Sequence, residues 1–301
     1  MEAKQLDICL DAPSLERVKQ GRFPFFCRTK EAFEAEGWDV RLRRNGLTQR
    51  LAVGGRGGRA LFHMEAPSHA GALVCRRIYL GAFWRIEKQA ERWEWPVAKA
   101  KFDPGAVDRT AAAKFFSDWR KWKFKNGAGV ADDGFTFVPL QGRLLEQRSF
   151  QAARPVDMIG EVLARFDGEV VATLHPGETY DDEEIEALEQ IARSDRRFSF
   201  MSQGSDEALR RCRRVVTQNS SLALHGFFLE KPAVLFGGAD FHHIAGSVRR
   251  DGIEAALAKV EERPDFAGYL HWYFQQDVLN ASHESFGARL FARLREHGWK
   301  I

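Results

Sequence analysis

No stretch of this 301-residue chain approaches the roughly 20 consecutive apolar residues that a membrane-spanning helix needs. The start, MEAKQLDICLDAP, has neither a basic n-region nor a usable apolar h-region, so a cytoplasmic protein is expected. Cysteine is scarce: Cys9, Cys27, Cys75 and Cys212 lie far apart and form no CxxC pair. That argues against a zinc ribbon, a thioredoxin-like redox centre or a disulfide framework, and leaves reduced thiols as the expected state. Internal repeats and low-complexity tracts are missing as well. With 44% hydrophobic and 29% charged residues the chain is globular, which excludes general disorder and fibrous architectures, and its length suits two ordinary domains.

Charge is nearly balanced overall at +3 but unevenly distributed. Residues 1–130 carry 25 Lys+Arg against 15 Asp+Glu, and residues 131–301 carry 20 against 27. The basic half could attract phosphates, acidic glycans or an anionic membrane surface, or could simply be a solvated face. Gly, Asn and Asp cluster in NGAGVADDG (126–134), which marks a break between an N-terminal domain, 1–130, and a C-terminal domain, 131–301.

Beyond the break, strand-like and helix-like segments alternate. FTFVPLQ (135–141), EVVATLHP (169–176), FSFMSQ (198–203), RVVTQNSS (214–221) and KPAVLFGG (231–238) read as strands. VDMIGEVLARF (156–166), DDEEIEALEQIARSD (181–195), SDEALRRC (205–212) and LALHGFFLE (222–230) read as helices. Such alternation predicts a parallel sheet with helices on both faces, a Rossmann-like domain. The N-terminal part is less regular. LDICLD (6–11), DVRLRRN (39–45) and RALFHME (59–65) read as strands and KEAFEAEGW (30–38) as a helix, giving a smaller α/β unit. VGGRGGRA (53–60) lacks the GxGxxG spacing and leads into a strand, so a hairpin loop is expected there. The tail, 266–299, has helical spacing of large apolar residues, with a break near Asn280, and in a two-domain fold such a tail is expected to pack back across both domains.

His175-Pro176 directly follows a strand, at the carboxyl end where open α/β sheets bind ligands. The imidazole could meet a phosphate there, or cap a loop beside a turn proline. Asn219, Ser220 and Ser221 end another strand and open a helix, offering backbone N–H groups and hydroxyls to an anion, or a plain helix cap. The acids after His175, Glu178, Asp181 and Asp182, suit the first turn of a helix. KFFSDWRKWKFK (114–125) interleaves five basic residues with five aromatics. It fits first an amphipathic helix packing its rings onto the first domain, then an anionic membrane interface, and last a single-stranded nucleic acid.

Leu140-Gln141, His175-Pro176, Asn219-Ser220-Ser221 and Lys231-Pro232, in that order and within the runs FVPLQ, LHP and VVTQNSSLALHGFFLEKPAVLFGGADFH, resemble the carboxyl-terminal domain of bacterial capsule polysaccharide biosynthesis proteins. That group includes Kdo (3-deoxy-manno-octulosonic acid) transferases, and the resemblance spans about residues 135–245. It implies an α/β fold of two Rossmann-like domains of the GT-B type with a central cleft, the first domain smaller and less regular. It also implies a glycosyltransferase that moves a sugar, such as Kdo from CMP-Kdo, from a nucleotide-sugar donor to a capsular or other surface polysaccharide or glycolipid acceptor. His175 would contact the donor phosphate, Ser220 and Ser221 would hold it at the helix start with Asn219 beside them, and Gln141 would face the cleft. Four residues after Ser221, where many such enzymes place a glutamate toward the ribose, this chain has His225. That departure favours the alternative of a noncatalytic, GT-B-like assembly or carbohydrate-binding protein.

Glycosyl transfer with inversion needs a base near the acceptor hydroxyl. Glu65, ending a strand of the first domain with His63 and His69 near it, is the preferred catalytic carboxylate, and Glu146 is the second choice. The scattered histidines, including His242-His243, have no HExxH or comparable spacing, so neither a metal nor a cofactor is expected. A lipid-linked acceptor would keep the protein peripherally at the inner face of the cytoplasmic membrane. Nucleic acid is not an expected partner.

Overall fold

The computed structural model describes residues 4–56, 58–125 and 129–301. The chain forms two compact units: one runs to Trp95 and takes in Phe274–Ile301, and the other is Pro96–Tyr273.

The first unit begins with β1 (Gln5–Leu10), α1 (Ala12–Lys19), α2 (Pro24–Ala35), β2 (Asp39–Arg44) and α3 (Leu47–Arg56). It continues with β3 (Arg59–His63), β4 (Ala72–Arg77) and β5 (Phe83–Glu87), and is completed from the chain's end by β12 (Leu279–Asn280) and α13 (Phe286–Glu296). Alternation along β1 sets its two faces. Leu6, Ile8 and Leu10 join a core with Phe25, Phe26 and Phe33 of α2 and Phe286, Leu290 and Leu294 of α13. Cys9 points to the opposite face, where Ala60, Phe62 and Ala72 pack with Val53 of α3. The strand order is β12-β5-β4-β3-β1-β2. Strands β2, β1, β3 and β4 run parallel, β5 is antiparallel to β4, and β12 is antiparallel to β5.

The glycine-containing stretch 53–60 departs from the expected hairpin loop. Gly54 and Gly55 extend α3, Gly57 lies outside the described residues, and β3 starts at Arg59. Glycine costs roughly 1 kcal/mol in a helix interior. Burying Val53 against the sheet, at 1% exposure, offsets a cost of that size.

The second unit holds α4 (Pro96–Lys99), α5 (Arg109–Phe124), β6 (Thr136–Pro139), α6 (Pro155–Arg165), β7 (Val170–Thr173) and α7 (Asp182–Ser194). Then follow β8 (Phe198–Met201), α8 (Ser205–Arg211), β9 (Arg214–Thr217), α9 (Ser221–Phe227) and β10 (Ala233–Leu235). The last elements are β11 (Gly246–Ser247), α10 (Val248–Asp251), α11 (Ile253–Ala258) and α12 (Phe266–Gln275), whose final residues cross into the first unit. The sheet is parallel throughout, in the order β11-β10-β9-β6-β7-β8. One face buries Val138, Val216 and Val234 with Met158, Ile159 and Val162 of α6. The first strand lies in the middle, the chain steps to one side for β7 and β8, and then crosses to the other for β9 to β11. That order creates a switch point between β6 and β9.

The two units differ from the division expected at 130/131, whose residues 126–128 lie outside the described residues. Helix α5 belongs to the second unit: Phe115 and Phe116 lie 6.5 and 5.8 Å from Phe228, and Phe124 is buried near the Arg210 guanidinium. The tail, counted with the second domain but expected to pack back across both, belongs to the first unit, where Leu279, Phe286, Leu290 and Leu294 are buried in its core.

Candidate functional site

At the carboxyl ends of β6, β7, β8 and β9, a pocket of about 630 Å³ opens at the switch point of the second sheet. Each strand delivers one wall: Leu140 after β6, His175 after β7, Ser202 to Ser205 after β8, and Ser220 and Ser221 after β9. The sequence organises these ends locally. Ser220 is the N-cap of α9, its Oγ accepting from the Leu222 backbone N–H at 3.3 Å. Gly204 precedes α8 with φ of +95°, a left-handed conformation that favours glycine. Ser205 Oγ donates to Thr173 Oγ1 at 2.9 Å, tying the start of α8 to the end of β7.

His175 is exposed, and its ring is oriented by the loop that follows. The Gly177 backbone N–H donates to Nδ1 at 3.1 Å, so a neutral ring carries its proton on Nε2 and keeps that N–H as a donor. A Cβ on Gly177 would lie 3.1 Å from Cε1 of this ring, so a side chain there would push the imidazole aside. The His175 backbone N–H donates to the Tyr180 hydroxyl at 2.8 Å, and burial foremost raises the pKa of that phenol. Among the lining residues none is Lys or Arg, so an anion here would be held by hydrogen-bond donors.

The remaining expected site residues divide clearly. Ser220 and Ser221 share the pocket with His175. Asn219 does not line it; its Nδ2 donates to the Gly238 carbonyl at 2.9 Å and fastens the loop after β9 to the loop after β10. Gln141 follows β6, and its buried Oε1 has no hydrogen-bond partner among the described residues. His225 is 7% exposed within α9 and is absent from the pocket wall. Glu146 pairs with Arg143 at 3.3 Å and lines a second pocket, of about 720 Å³, beyond the 175–178 loop. Glu65 belongs to the first unit, in the loop after β3, with 57% of its side chain exposed and Arg50 at 3.4 Å. Asp181 and Glu184 form the capping box of α7, the helix-start role open to the acids after His175.

Sequence reasoning passed over Ser202, Ser205, Asp206 and Glu207, although SQGSDE repeats the strand-then-helix-start pattern that singled out Asn219 to Ser221. It also missed a contact in the first unit: His63 Nδ1 lies 3.2 Å from Asp11 Oδ2, across 52 residues of chain. Among the described residues no cluster of three or more His, Cys, Asp or Glu side chains could hold a metal ion. No helix among them is long and apolar enough to cross a membrane. All four cysteines are free thiols, and burial pushes Cys9 and Cys212 up to about 12.

Two units on largely parallel sheets, the second with Rossmann strand order and a pocket at its switch point, define an α/β protein of two Rossmann-like domains of the GT-B type. The chain has the fold of the β-Kdo 2,7 transferase KpsC of Thermosulfurimonas dismutans, with 11% identity and a TM-score of 0.56 over 98% of this chain and 99% of that one. More distant similarity extends to S. aureus MnaA, solved with UDP (9% identity, TM-score 0.40, 96% and 94% of the two chains). It extends also to the UDP-GlcNAc 2-epimerase of Methanocaldococcus jannaschii, solved with UDP-GlcNAc and UDP (10%, 0.39, 98% and 100%). No model of a known protein family matches the chain, and no curated protein matches it in sequence.

Proposed function

We propose that this protein is a glycosyltransferase that moves a sugar from a nucleotide donor to a polysaccharide or glycolipid acceptor, with Kdo from CMP-Kdo as the leading donor. The observation that carries the reading is the pocket at the β6/β9 switch point, where His175, Ser220 and Ser221 meet. Open α/β sheets bind nucleotides in that crevice. The Nε2–H of His175, the Ser221 hydroxyl and the helix starts would donate to the phosphate oxygens, whereas Gln141 does not line the pocket. Asp206 and Glu207, in the first turn of α8, supply acceptors for ribose hydroxyls, a role the resemblance assigns to a glutamate where this chain has His225. The fold shared with a Kdo transferase supports the reading by analogy.

Calorimetric titration with CMP, UDP and GDP tests it. The parent should bind one of them, and His175→Ala or the double change Ser220→Ala with Ser221→Ala should weaken binding at least tenfold, about 1.4 kcal/mol. Parental affinity in both variants would remove the nucleotide from this pocket. His225 favours one other reading, a noncatalytic carbohydrate-handling protein of the same fold. That protein would bind glycans yet release no nucleotide from any sugar donor.

A further inference from the structure

Helix α3 of the first unit is apolar on both sides. Inward, Val53 is buried against Cys9, Ala60 and Phe62 of the sheet. Outward, its described exposed residues are Leu47, Thr48, Leu51 and Gly55, none of them charged, and the two leucines are 76% and 68% exposed. Leu47 and Leu51 stand four residues apart and so share one face. A surface helix ordinarily turns polar residues to water, and one that is apolar all round needs a cover.

Arg50 leaves that face to the leucines. Its guanidinium lies over the Phe62 ring at 5.3 Å, and it donates to Glu65 Oε2 at 3.4 Å and to the Ala66 carbonyl at 2.7 Å. These contacts tie α3 to the loop after β3, whose first residue, Met64, is 40% exposed. The Met64 backbone is fixed from two sides: its N–H donates to the Cys75 carbonyl at 3.0 Å, and its carbonyl accepts from Arg76 at 2.7 Å. Three of the six large apolar side chains exposed among the described residues therefore gather on α3 and this loop.

The charge around them has one sign. Residues 40–77 hold eight arginines, no lysine and a single acid, Glu65. Arg44 and Arg77 are exposed at the carboxyl ends of β2 and β4, the edge of the parallel strands where α3 starts and Met64 lies. That pattern selects the occupant. A second copy of the chain would set these arginines against their own counterparts, which repel. An acidic glycan or a nucleic acid would pair with the arginines and leave the leucines nothing apolar to enter. A bilayer surface takes both, because its acyl boundary accepts leucine and its phosphates match the guanidinium fork.

We infer that α3 and the loop after β3 form a docking surface for an anionic lipid bilayer, with Leu47, Leu51 and Met64 entering the acyl boundary and the arginines meeting lipid phosphates. The surface would act irrespective of what the pocket of the second unit binds.

Cosedimentation of the full chain with phosphatidylglycerol–phosphatidylcholine vesicles, against phosphatidylcholine alone, tests it. The parent should partition onto the anionic vesicles only, and the retention should fade as salt shortens the electrostatic reach. Leu47→Gln with Leu51→Gln should lower the partition about tenfold with the melting temperature kept, since both side chains are already exposed. Arg44→Gln with Arg77→Gln, also at exposed positions, should lower it by about as much and reads the charge separately. Leu51→Trp should hold or raise it, because an indole suits the headgroup region. Parental partition by the leucine pair, a loss in Leu51→Trp, equal retention on neutral vesicles, or none on either kind overturns the assignment. So does a loss in Trp122→Ala of α5 that the leucine pair does not share. A dimer in sedimentation velocity that the leucine pair dissolves would make a second copy the occupant instead, and retention on immobilised polyglutamate in place of vesicles would make it an acidic protein.

Discussion

His243 commits both ring nitrogens inside the second unit. Nε2 lies 3.0 Å from the Val97 carbonyl, to which it donates, and Nδ1 lies 3.1 Å from the Tyr269 hydroxyl. The ring stacks on His242 at 4.7 Å and meets Trp272 edge-on. Burial first, then the neighbouring His242 and Arg250, lower its pKa to about 4, while the Val97 and Ala100 backbone acts against them. The unfolded chain takes up this proton near pH 6.5 and the folded chain only near pH 4, so stability falls as pH drops through that window. The loss is roughly 1.4 kcal/mol per pH unit, on the order of 3 kcal/mol in all. Urea melts between pH 7 and 4 should show this acid limb, and His243→Gln should make it shallower. His242, lowered in the same direction, keeps part of the slope. An unchanged slope in the variant would mean that another group titrates. Neither the ring's partners nor its burial was legible in the dipeptide His242-His243, since Val97 and Tyr269 lie far from it in the chain.

Helix α5 shows how one element resolves an ambiguity that its sequence left open. Its aromatics split: Phe124 is buried, Phe115 and Phe116 pack on Phe228, and Trp122 stays 55% exposed beside Trp119. The packing and interface readings thus apply to different side chains of one helix. Phe124→Ala should cost roughly 3–5 kcal/mol, as for a buried aromatic, measured by denaturant unfolding. If the exposed face meets an anionic membrane, cosedimentation with phosphatidylserine vesicles should fade as salt rises. Trp122→Ala, or Lys121, Lys123 and Lys125 changed to Gln, should reduce it with the melting temperature kept. Equal retention on neutral vesicles, or none on either kind, would leave α5 as a packing helix alone. Other elements were readable from end to end. Helix α7 opens with the acidic first turn that its sequence suggested, to which the structure adds a capping box, and strands β6 to β10 fall within the apolar runs that suggested them.

On the scale of the whole chain, the tail returns to complete the first unit. Strand β12 adds to β5, with Leu279 opposite Trp84, and α13 sets Leu290 and Leu294 into the core begun by β1. Leu290→Ala should therefore destabilise by about 2–5 kcal/mol. Limited proteolysis of that variant should open the first unit, at residues before Trp95 and after Phe274, ahead of the segment 96–273. Early cleavage within 96–273 would instead return the tail to the second domain.

What the chain determines by itself is local: the period of apolar residues, the strand ends, the helix caps, and hence the α/β class and the ordered set His175, Ser220 and Ser221. These depend on neighbours a few residues apart, where sterics and backbone hydrogen bonding act. Tertiary structure alone decided the rest. The tail crosses the whole chain length to reach the first sheet, the glycines after Val53 continue a helix because the sheet covers that valine, and His63 finds Asp11 only because β1 and β3 are adjacent strands. In each case the deciding free energy comes from burial or pairing between residues remote in sequence, which no local pattern encodes.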